Sequence, residues 1–166
     1  PTVITVFLAA TATKVAVYVM LRMLFTVFPS GAINSTPTGT LFILLGVAGI
    51  LFASAQAIGQ LNVKRMLAFS SVAQIGYMAL GIGFGTALGA TAAIVHMFNH
   101  AMMKGALFMA VGALAYRVGS NRISDFAGLG RRMPWTFAAI VIGGLSLIGV
   151  PGTAGFISKW YLVLAA

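Results

Sequence analysis

Cysteine is absent from this 166-residue chain, and its acidic residues are reduced to one, Asp125. Without cysteine there is no disulfide framework, no thiolate metal site and no cysteine-ligated iron–sulfur cluster. With one acid there is no carboxylate pair, and neither a Gly-rich phosphate loop nor a clustered metal-ligand set takes its place. The sequence therefore implies no catalytic residues, cofactor or metal site of its own. Charge of either sign is scarce at 7%, against 60% hydrophobic residues and a mean hydropathy of +1.05. That balance excludes an ordinary soluble domain and a disordered chain, and implies an all-α polytopic membrane protein. A net charge of +9 can signal nucleic acid, but such a surface needs clustered, exposed cations. Here several cations lie inside apolar runs, so the partner is the lipid bilayer and not nucleic acid.

What is present is organised around Ala87–Tyr116, an apolar run that contains His96, His100 and Lys104. These residues are four apart, so they stack on one helix face with a drift of about 40° per step. The run is long enough to span a membrane, with Lys104 near its middle. A charge facing lipid at that depth costs at least ~2.5–3.5 kcal/mol, so the stripe should face protein or water. Ionisable groups aligned inside a membrane imply a proton path. The alternatives are polar groups that only join helices, or a haem or metal pair formed by the two histidines if a second helix supplies ligands.

Taken in order, the chain predicts a single membrane domain of five spans, at about 2–28, 41–59, 66–84, 87–116 and 134–166. Lys14 lies near the centre of the first, and Ser70, Ser71 and Gln74 open the third. Successive spans reverse direction, which puts the 60–65 and 117–133 loops on one side. Those loops hold Lys64, Arg65, Arg117, Arg122, Arg131 and Arg132, while the 29–40 and 85–86 loops hold no Lys or Arg. The positive-inside rule then places the basic loops in the cytoplasm.

The last span is expected to be broken within 149–155, where Gly149, Pro151, Gly152 and Gly155 interrupt an apolar run. Residues 134–166 as one straight helix would reach ~50 Å, more than the ~30 Å hydrocarbon core. Irregular backbone at membrane depth must be buried in protein or line a cavity, and Lys159 follows the break directly. Broken helices beside ionisable residues mark ion sites in transporters; a proline kink with Lys159 reaching an interface is the alternative. Lys14, Lys104 and Lys159 thus fall on three separate spans. Burial weakens the preference of lysine for its charged form, so these groups and the two histidines form a candidate relay along the membrane. Both ends of the chain are apolar, which predicts an internal piece of a longer protein with acidic partners elsewhere.

Three stretches resemble one family. Asn62-Val-Lys-Arg-Met-Leu-Ala-Phe-Ser-Ser-Val-Ala-Gln-Ile-Gly-Tyr77 looks like the signature of antiporter-like membrane subunits. His96-Met-Phe-Asn-His100-Ala-Met-Met-Lys104-Gly-Ala-Leu-Phe108 resembles their central His/Lys helix, and Ile148-Gly-Val-Pro-Gly-Thr-Ala-Gly-Phe-Ile-Ser-Lys159 their second broken helix. The family includes proton-pumping subunits of respiratory complex I, Mrp-type sodium/proton antiporters and hydrogenase-4-like membrane subunits. The resemblance implies two inverted repeats of five helices, of which this chain would hold most of the second. It implies that Lys14 links the two half-channels, Lys104 is the central lysine, His96 and His100 flank it, and Lys159 ends the relay. The glutamate–lysine pair of the first repeat would lie outside this stretch, so the piece would not pump alone. The lysine set looks most like an Mrp D-type or hydrogenase-4-type subunit, with a proton-pumping subunit of NADH:quinone oxidoreductase as the alternative. Either parent implies a bacterial-type inner membrane, other membrane subunits as partners and protons as cargo, with Na+ or K+ as the open choice of coupled cation.

Overall fold

A computed structural model of the chain describes residue 4, residues 7–28 and residues 31–166. The sequence expectations for residues 2–3, 5–6 and 29–30 lie outside the described residues. The described residues are predominantly helical and contain no strand. Helix α1 is Thr13–Arg22, continued at either end by π-helical turns at Leu8–Ala12 and Met23–Val27. A single turn, α2 (Ala32–Ser35), precedes α3 (Thr38–Ile58), α4 (Val63–Gly83) and α5 (Ala87–Val118). A 3-10 turn at Ile123–Phe126 and the short α6 (Leu129–Arg132) lead into α7 (Pro134–Ile148) and α8 (Ala154–Ala165). Helices α3, α4 and α5 are each long and apolar enough to cross a membrane; α7 and α8 are shorter apolar helices.

Local chemistry sets the helix ends. The Asn62 side chain caps α4 by accepting from the backbone N–H groups of Lys64 at 3.0 Å and Arg65 at 3.3 Å. Thr86 caps α5 by accepting from Gly89 N–H at 3.0 Å. Pro134 stands in the first turn of α7, where no intrahelical donor is needed. Helix α3 starts at Thr38, inside the stretch whose turn-forming residues suggest a loop through residue 40. Pro37, with φ fixed near its helical value, supplies the start.

Helices α3 and α4 pack backbone to backbone through glycines seven residues apart. A Cβ on Gly46 would lie 2.7 Å from the Gly76 carbonyl oxygen, and one on Gly39 would lie 2.8 Å from that of Gly83. Such small-residue contacts let helices approach closely where lipid supplies no hydrophobic drive. Helix α5 is the centre of the bundle, touched by α4, α7, α8 and the turn before α1. Two apolar clusters plug it. Val17, Leu21, Met78, Ile82 and Ala93 form one; Val63, Leu67, Leu107, Phe108, Val111, Leu114, Phe126 and Leu129 form the other. The two basic loops join at one end of the bundle: Val63 N–H donates to Asn121 and Ile123 N–H to Leu61, each at 3.0 Å.

Candidate functional site

Between the two apolar plugs, α5 presents a polar band. His96, His100 and Lys104 are wholly buried on one face, as their spacing requires. Because α4 runs antiparallel to α5, the start of α4 meets Lys104 and its middle meets His96. The Lys104 ammonium donates to the Leu67 carbonyl at 2.6 Å and to the Ser70 hydroxyl. It also lies 5.9 Å from the centre of the Phe108 ring. Both hydrogen-bond partners are neutral oxygens. Asp125, the only acid in the sequence, sits in the exposed 117–133 loop.

His96 is held from both sides. Its Nε2 lies 2.9 Å from Gln74 Oε1 on α4, and its Nδ1 lies 2.8 Å from Ser158 Oγ on α8. Its ring stands 6.3 Å from that of His100, stacked within 7°. Neither ring nitrogen of His100 bonds to a described residue. Among the described residues no third His, Cys, Asp or Glu joins the histidines to form a metal-binding group.

The chain leaves the helix between Ile148 and Ala154. Gly149 takes a left-handed conformation (φ 91°) that closes α7, a backbone state that glycine adopts without steric cost. The Lys159 ammonium turns back to the end of α7, donating to the carbonyls of Leu147 at 3.1 Å and Ile148 at 2.9 Å. It thereby satisfies orphan C-terminal carbonyls and meets the negative end of the helix dipole. The same ammonium stands 4.6 Å over the Tyr77 ring. Asn99 ties α5 to the start of α8 by donating to the Ala154 carbonyl at 2.7 Å. Lys14 is buried on α1, with its Nζ 3.2 Å from Thr13 Oγ1.

The structure thus gathers His96, His100 and Lys104 on α5, ties His96 to α8 one residue before Lys159, and buries Lys14 on α1, which packs against α5. The sequence places Ser70 and Gln74 only at the start of the third span and gives Ser158 no role of its own. Ser70 and Gln74 are four apart and so share one face of α4, as His96, His100 and Lys104 share one face of α5. No comparable signal marks Ser158 beyond its place beside Lys159.

A family model described as NADH:quinone oxidoreductase/Mrp antiporter, transmembrane, matches residues 1–166. The chain belongs to this family. As a member, it is 44% identical over 164 residues to NADH-quinone oxidoreductase subunit N of Desulforudis audaxviator (strain MP104C), covering 99% of this chain and 32% of the relative. It is 33% identical over 168 residues to the D-type subunit of the Na(+)/H(+) antiporter of Alkalihalophilus pseudofirmus, covering 100% and 33%. In structure it resembles a chain of the membrane-bound sulfane sulfur reductase, an archaeal respiratory membrane complex. That match has a TM-score of 0.89 at 39% identity, covering 100% of this chain and 34% of the other. The antiporter-family chain spans about a third of the length of the curated relatives it matches.

Proposed function

We propose that this chain is part of a proton-translocating, antiporter-like membrane subunit in which Lys14, His96, His100, Lys104 and Lys159 carry the proton. The observation that supports this most is Lys104, wholly buried midway along a long apolar helix with a carbonyl and a hydroxyl as its partners. Those oxygens accept from the ammonium without supplying a counter-charge that would hold it permanently ionised. Two buried histidines on the same face extend the path toward the broken helix. In this reading α1, α3, α4, α5 and the α7–α8 pair supply five spans and most of the second inverted repeat. The joined 60–65 and 117–133 loops face the cytoplasm of a bacterial-type inner membrane. The other membrane subunits of a multisubunit complex are the partners.

The parent is an Mrp-type cation/proton antiporter or a proton-pumping NADH:quinone oxidoreductase. The lysine set favours the first; the 44% identity to a subunit N favours the second. Inside-out vesicles carrying the parent complex separate them: NADH drives acidification in one case, and an imposed Na+ or K+ gradient drives it in the other. In either vesicle, Lys104→Arg should assemble and lose proton flux, because guanidinium does not release its proton. Lys104→Met, which keeps most of the side-chain volume, should do the same. Wild-type flux in an assembled Lys104→Arg complex overturns the reading.

A further inference from the structure

Ser158 is wholly buried, and the chain of lysines and histidines does not include it. Its Oγ lies 2.8 Å from Nδ1 of His96 and 3.1 Å from the carbonyl oxygen of Gly155. Across the ring, Nε2 of His96 lies 2.9 Å from Oε1 of the buried Gln74. With the Gln74 oxygen turned to the ring, the amide can only accept there, so Nε2 carries hydrogen. Ser158 has one hydrogen and two possible acceptors for it, Nδ1 and the Gly155 carbonyl. Two arrangements therefore satisfy every atom. With a neutral ring, the hydroxyl donates to Nδ1. With an imidazolium, Nδ1–H donates to Oγ and the hydroxyl donates to Gly155. The third arrangement, a neutral ring with hydrogen on Nδ1, sets a bare Nε2 against the amide oxygen and is excluded.

We propose that Ser158 and Gln74 are positioning residues that make His96 a two-state proton holder, with the Ser158 hydroxyl as the switch. The proposal rests on the proton-translocating reading above. When a hydrated proton reaches Ser158, its proton forms a new O–H bond at Oγ and leaves water behind. The old O–H bond breaks in the same step, and that hydrogen bonds to Nδ1. One positive charge has moved to the ring, and the new hydroxyl hydrogen points to Gly155. Release is the reverse.

The broken helix is what makes this possible. Gly155 N–H donates to Ser146 Oγ at 3.2 Å, and a Cβ on Gly155 would run into the Ser146 carbonyl. The crossing of α7 and α8 thus fixes the carbonyl that receives the hydroxyl. The elements around this ring also carry the buried His100 and Lys104 on α5 and Lys14 on α1, with Tyr77 on α4 against the ring and Lys159 on α8 over Tyr77. Gln74 and Ser158 are the groups that bond its nitrogens.

The test uses the intact parent complex. Histidine infrared bands, assigned to His96 by their loss in His96→Gln, distinguish the two neutral tautomers and the imidazolium. The neutral wild type should show the Nε2–H tautomer, and Gln74→Leu should show a mixture. In vesicles, Ser158→Ala should lower proton flux about tenfold, the effect of losing one hydrogen bond to a charged group. Ser158→Thr, which keeps the hydroxyl, should restore it. An Nδ1–H tautomer in the wild type overturns the switch, and that measurement stands even if Ser158→Ala fails to assemble. Wild-type flux in assembled Ser158→Ala overturns the switch alone. No flux in any assembled complex, wild type included, overturns the proton-translocating reading and the switch with it.

Discussion

The Lys104 ammonium and the Leu67 carbonyl oxygen lie 2.6 Å apart across the α4–α5 contact, and that carbonyl is shared. The hydroxyls of Ser70 and Ser71 both donate to it at 3.0 Å. A carbonyl oxygen has two lone pairs, so these three side-chain donors compete for it. Ser70 differs from Ser71 in also accepting from Lys104. Ser71→Ala should therefore leave proton flux within about twofold, since it removes only a competitor. Ser70→Ala should lower flux about tenfold, corresponding to ~1.5 kcal/mol for a hydrogen bond to a charged group. Flux in vesicles, normalised to assembled complex, checks both.

Lys159 has two separable tasks, closing α7 and holding a proton. Lys159→Met should lose the closing bonds at Leu147 and Ile148, a cost of about 0.3–2 kcal/mol for a cation at a helix C-terminus. Hydrogen exchange at the amides of 149–155 should quicken accordingly. Lys159→Arg should keep exchange near wild type yet stop proton flux, because its cation cannot give up a proton. Equal flux in wild type and Lys159→Arg would limit Lys159 to the structural task.

The α3–α4 contact should tolerate added volume poorly. In Gly46→Val, a Cβ would lie 2.7 Å from the Gly76 carbonyl oxygen, which is backbone and cannot step aside. Overpacking of this kind typically costs about 1–3 kcal/mol. The unfolding midpoint in detergent should fall clearly, whereas Gly144→Ala, with open space around it, should leave it nearly unchanged.

Asp125 should prove incidental to transport. Hydrogen bonds from Ser120 and then Ser124, with Arg122 nearby, hold its exposed carboxyl below the usual carboxylate range. A depressed value means that the contribution is present above the unfolded value of about 3.9 and is lost as pH falls through the folded one. Asp125→Asn should leave flux unchanged. Any loss of thermal stability should be small, should be seen at pH 7 where the carboxylate is ionised, and should disappear as the wild type is acidified below about pH 4.

Much of this was legible along the chain. Four-residue spacing alone places His96, His100 and Lys104 on one face, and they are buried together there. Gly149 and Pro151 mark a segment in which helix cannot persist, and the chain is non-helical between Ile148 and Ala154. The start of α3 was less legible, because the turn-forming residues before it also serve as a helix entry. Three helices are individually long and apolar enough to span, while the count of five rests on grouping shorter pieces.

Hydropathy, helix-end chemistry and i,i+4 periodicity act within a few residues, so the sequence by itself determined the helical class, the polar stripe, the interruption before Lys159 and the family resemblance. Only the tertiary structure decided what each polar group meets. Gln74, Ser70 and Ser158 find His96 and Lys104 across separations of 22, 34 and 62 residues. Those meetings depend on the register between helices, which is set by glycine contacts such as Gly46 on Gly76 and by the crossing of α7 and α8 at Gly155. A shift of one helical turn, ~5.4 Å, would preserve every local pattern and break every one of those bonds.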